Sequence, residues 1–85
     1  MIMPAIKYDD TQQRLAIIGY YESKGYHTEF HHEIGATGVI YANTCHETLH
    51  ISSVKYAELK GYPVQPFYSW LLAQLQTITK GQDND

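Results

Sequence analysis

One cysteine, Cys45, in a chain of 85 residues leaves no way to form a disulfide within the chain. A domain this short hides only about 60% of the surface that its unfolded chain exposes, so its stability is marginal without help. Small domains find that help in disulfides, a bound metal or a partner subunit. The first is gone here, and 44% hydrophobic residues still demand a folded core. Metal or association must therefore be weighed from the side chains present.

Charge excludes several partners. Of nine carboxylates, Asp83 and Asp85 fall in the final five residues, 81–85, which read as a disordered acidic tail. Seven acids and six bases remain, so the body, taken as one domain over 1–80, is nearly neutral. Lys7, Arg14, Lys24, Lys55, Lys60 and Lys80 are scattered rather than clustered. Nucleic-acid affinity comes chiefly from clustered cations on phosphates, which disfavours that class. No apolar run approaches the ~18 residues of a membrane span. The start, Met1 to Pro4, lacks a signal peptide's basic flank and apolar stretch, so a cytoplasmic setting is expected.

Tyrosine is the surplus residue, with eight copies, and five histidines accompany it. Tyrosine joins an apolar ring to a polar tip and suits surfaces that are dry on one side and wet on the other. Tyr20, Tyr56, Tyr62, Tyr68 and Trp70 fall at the margins of the expected elements and form the candidate partner-binding set.

Residues 1–9 read as extended. Asp9, Asp10 or Thr11 can cap a helix to about Lys24, with Gly25 as its stop. Leu15, Ile17, Ile18 and Tyr21 share an arc of about 160° that would face the core. Alternation from Tyr26 to Ile34 predicts a half-buried strand. Gly35 to Gly38 is a turn, and Val39 to Ala42 a return strand apolar on both faces, hence central. For 45–60, a strand over 47–53 followed by a short helical turn over 54–60 is preferred to one long helix. The β-branched Thr48, Ile51 and Val54 oppose the helix, although Thr44 and Glu47 would make a capping box for it. Pro66 fits the first position of a helix to Lys80, with Gly81 as its stop. Its arc of Phe67, Tyr68, Leu71, Leu72, Leu75 and Ile78 would pack inward, with Trp70 at the side.

The expected fold is thus α+β, order α-β-β-β-α, with a three-stranded antiparallel meander packed by an N-terminal and a C-terminal helix. This order resembles that of double-stranded-RNA-binding domains and of some small toxins. The resemblance implies RNA binding, but the last helix would then want lysines where Val64-Gln65-Pro66-Phe67 stands.

His46-Glu47-Thr48-Leu49-His50 matches H-E-x-x-H. On a helix, both imidazoles could hold one zinc while the glutamate takes a proton from the metal-bound water. These five residues resemble the active-site helix of zinc metallopeptidases. The resemblance implies His46 and His50 as ligands and Glu47 as base, a minimal zinc hydrolase. Beyond His50 only Glu58, Asp83 and Asp85 could add a ligand. On one helix Glu58 would lie ~12 Å along from His50. On a strand, residues four apart are ~13 Å apart, and the motif fails.

Taken together, the residues predict a small non-enzymatic protein-binding module without a cofactor, acting as a homodimer, with inhibition or regulation of a larger enzyme as a fitting task. A zinc hydrolase is the alternative, and a nucleic-acid-binding domain the second.

Overall fold

The computed structural model describes residues 4–30 and 35–83, with side chains described along the last helix as far as Gln76. Eight elements follow in order: β1 (Ala5–Tyr8), α1 (Thr11–Glu22), β2 (His27–Phe30), β3 (Gly38–Asn43), β4 (Thr48–Ser52), α2 (Val54–Lys60), β5 (Val64–Pro66) and α3 (Phe67–Asp83). The strands form one sheet in the order β2-β4-β3-β1-β5. β3 runs antiparallel to β1 and β4, whereas β1–β5 and β2–β4 are parallel pairs.

Local signals set the ends of these elements. The Gln13 N–H donates to Asp10 Oδ1 and the Asp9 N–H to Gln13 Oε1, both at 2.8 Å, so two donors at the start of α1 are satisfied reciprocally. Gly25, at φ +93°, turns the chain into β2. Ser53 caps α2 by accepting the Tyr56 N–H at 3.1 Å, and Gly61 ends it in the left-handed region.

Handedness explains where the helices sit. The connections β1-α1-β2 and β4-α2-β5 each join parallel strands across two others, and they travel in opposite directions along the sheet. Right-handed crossovers moving opposite ways must use opposite faces. Accordingly Ile17 and Tyr21 of α1, joined by Phe67 and Trp70 of α3, pack on Ile6, Tyr8, Ile40, Ala42, Leu49 and Ile51. Ala57 of α2 packs on the other face against Ala5, Val39 and Tyr41.

The expected three-stranded antiparallel meander with two helices is therefore wrong: the sheet has five strands of mixed direction, with three helices. The physical reason is competition for β3. Ile6 of β1 pairs with Ile40, taking the edge of β3 that a meander would give to β2. β2 instead reaches the far side of β4, where His27 lies opposite Thr48 and Glu29 opposite His50. The expected central, doubly covered return strand is present as β3, buried from Gly38 to Ala42. The strand expected to Ile34 is seen to Phe30, and 31–34 lie outside the described residues.

The helix faces also shift. Leu15, expected inside, is 58% exposed. In α3 the phase turns so that Trp70 enters the core while Tyr68, Leu72 and Leu75 face out. α3 also runs through Gly81, the expected stop, to Asp83.

Close packing of β1, β3 and β4 leaves no room at Gly38. A Cβ there would sit 2.7 Å from both the Ser52 carbonyl oxygen and Tyr8 Oη. Gly38→Ala is expected to lower stability by about 2–3 kcal/mol, read from the urea midpoint. A loss under about 0.5 kcal/mol would contradict this packing.

Candidate functional site

Two surfaces gather the chemically notable residues, one on each side of the sheet. The first is the α2 side. Being only seven residues long, α2 packs over the middle of the sheet, where Val54, Tyr56 and Tyr62 close around Val39 and Tyr41. The Tyr41 and Tyr62 ring centroids are 5.2 Å apart. On the other side, Tyr41 stacks on the His50 ring at 5.1 Å, with the planes 18° apart. Beyond His50 the face continues onto β2. His50 Nδ1 lies 3.9 Å from Glu29 Oε2, and its Nε2 lies 3.3 Å from Thr48 Oγ1.

Burial pushes the Tyr41 phenol up to about 12, helped by the neighbouring phenols of Tyr56 and Tyr62 and by a hydrogen bond with Tyr56. The fold thus favours the neutral phenol. Stability from this group is complete below the ordinary tyrosine value near 10 and is lost as pH rises from about 10 to 12. Tyr41→Phe should flatten that part of the stability curve, as measured by urea midpoints across the range. An unchanged slope would contradict the burial.

The second surface is carried by α3. Its inner side sets Trp70 among Tyr20, Tyr21 and Phe67, at centroid distances of 5.4, 6.3 and 5.7 Å. The Trp70 Nε1–H donates to Tyr21 Oη at 3.4 Å. Burial raises the Tyr21 phenol, and this donation opposes the rise. The outer side exposes Tyr68 (69%), Leu72 (56%) and Leu75 (51%). Their spacing of four and three residues puts them on one narrow stripe of the helix. Around the start of that stripe, Asp10, Gln12, Gln13, Phe67 and Tyr68 line a cleft of about 300 Å³.

The structure divides the five candidate partner-binding residues. Tyr56 and Tyr62 belong to the α2 side, half-buried around Tyr41. Tyr20 is half-buried beside Trp70, with Lys24 Nζ 5.0 Å above its ring. Trp70 is only 3% exposed, so it presents little surface to a partner. Tyr68 alone of the five is strongly exposed. Leu72 and Leu75 were assigned to the core by the sequence. Nothing in the local pattern marks them as outward, because an apolar arc of that width is what a core-facing helix also shows.

The H-E-x-x-H stretch is not helical. His46 and Glu47 are exposed in the turn between β3 and β4, Glu47 at φ +51°, and His50 is in β4. The helical spacing that would bring His46 and His50 to one zinc, with Glu47 as base, is absent. Cys45 is an exposed thiol of the same turn, where its N–H donates to Asn43 Oδ1. Among the described residues, no helix is long and apolar enough to cross a membrane. Comparison with protein-family models, with curated proteins and with solved structures gives no match for the chain.

Proposed function

We propose that the protein is a small non-enzymatic binding module that acts as a homodimer, two copies pairing along α3. The observation that carries this reading is the outward stripe of Tyr68, Leu72 and Leu75. It lies in a stretch, Gly61 to Thr79, without a single charged side chain. A solvated helix face normally carries charge, whereas interface cores are depleted of it. An uncharged stripe also presents nothing that repels its own copy, which suits an isologous two-fold contact. Association would supply the stabilisation that a short, disulfide-free domain lacks.

The dimer would leave the α2 side of each copy open, with Tyr56 and Tyr62 at its rim for a protein partner. Inhibition or regulation of a larger enzyme is the task that we assign to such a partner contact. Sedimentation equilibrium tests the first step. The expected species has twice the 9.8 kDa of the chain. A chain that stays monomeric at about 100 µM would overturn the dimer.

A further inference from the structure

We propose that His27, Glu29 and His50 form a binding site for a zinc-class divalent ion at the β2–β4 corner of the sheet. The inference is independent of the dimer. It starts from the geometry that defeats the H-E-x-x-H reading: on a strand, side chains that share a face are two residues apart, not four. His27 and Glu29 are such a pair on β2. The intervening Thr28 belongs to the opposite face, where its hydroxyl donates to Glu22 Oε2 of α1 at 3.0 Å. The parallel register then sets His50 of β4 beside Glu29. Two imidazoles and a carboxylate therefore occupy one corner of one face.

The central pair is close to the required separation. Ligand atoms held ~2.0–2.1 Å from a tetrahedral zinc lie ~3.4 Å from each other. His50 Nδ1 and Glu29 Oε2 are 3.9 Å apart. Binding through Nδ1 leaves Nε2–H to be held by an outer partner, the arrangement that orients most metal-bound histidines. Thr48 Oγ1 stands 3.3 Å from that nitrogen. The stacked Tyr41 ring restrains the imidazole from its flat side. Among the described residues, no three metal-type side chains yet converge on one point. His27, exposed at the sheet edge, has to turn toward the pair to complete the set. Three protein ligands would leave a fourth position for water.

The test is calorimetric titration of the untagged full chain with zinc chloride in a non-coordinating buffer. One saturating equivalent per chain is expected. His27→Ala and Glu29→Gln should each weaken binding tenfold or more, and His50→Ala should abolish it. His46→Ala and Glu47→Gln should leave it unchanged, which separates this site from the H-E-x-x-H alternative. Zinc should also raise the melting temperature of the parent chain, because it ties β2 to β4 only in the folded state. If His50→Ala does not fold by circular dichroism, the variants at exposed His27 and Glu29 decide. No saturable binding, binding that survives both of those variants, or binding lost with His46→Ala would overturn the site.

Discussion

Trp70→Ala is expected to cost about 3–5 kcal/mol, a large share of the 5–15 kcal/mol that holds a typical domain together. The indole is the point where α3 meets α1. It is 3% exposed and touches the rings of Tyr20, Tyr21 and Phe67. Removing it opens a cavity between the helices and strips the buried Tyr21 hydroxyl of its donor. Urea unfolding followed by circular dichroism gives the number. Trp70→Phe restores most of the volume but not the N–H, so its loss should be well below that of alanine. A Trp70→Ala loss under about 1 kcal/mol would mean that α3 is not seated by this side chain.

Leu72→Glu combined with Leu75→Glu should separate the effects of folding and association. Both leucines are more than half exposed, so the monomer should change in stability by no more than about 0.5 kcal/mol. A two-fold α3 contact would bury four leucines, each contributing about 1.5–3 kcal/mol when fully covered. The sum over four is an upper bound, since side-chain ordering opposes it. Replacing them with four carboxylates should still raise the dimer dissociation constant at least a thousandfold, or about 4 kcal/mol. Ser69→Glu, placed off the stripe, should change it far less. Sedimentation of the three proteins at one concentration decides. A double variant that dimerises like the parent would move the contact away from α3.

Which parts of this architecture could be read in advance follows from the range of each signal. Asp10 and Gly25 bracket α1 through local chemistry, and the apolar run Val39-Ile40-Tyr41-Ala42 marks β3 as covered on both faces. The choice of strand and then short helix for 47–60 also followed from local signals, the β-branched Thr48, Ile51 and Val54, and the structure adds Ser53 and Gly61 as the caps of α2. Pairing was another matter. Alternation along 26–30 says that a strand exists, but nothing in it says that β2 will join β4 rather than β3. That outcome depends on β1, whose four residues Ala5–Tyr8 carry too short a pattern to announce a strand. β5, three residues that follow Pro63 and end on Pro66, announces still less.

The candidate surfaces show the same division. The H-E-x-x-H match is a linear pattern whose meaning depends on its being helical, and β4 removes that meaning. The pairing of Glu29 with His50 joins residues 21 apart and exists only through the parallel register. Tyr68, Leu72 and Leu75 could be named as apolar, but not as outward. Periodicity gives the width of a helix stripe, whereas the neighbour that covers it is set by tertiary packing, here the seating of Trp70.

The position of β1 bears on how the molecule is made. Its partners are β3, from residue 38, and β5, from residue 64. No N-terminal segment that ends before residue 64 contains both neighbours of β1, nor the α3 residues that cover Ile6 and Tyr8. The hairpin of β3 and β4 is local, and β1 can pair with β3 once residue 43 is made, but its second partner, β5, lies nearly sixty residues downstream of it. Such long-range closure is slow and leaves apolar edges open in the interval. During that interval Ile6 and Ile40 are the surfaces that a chaperone would shield.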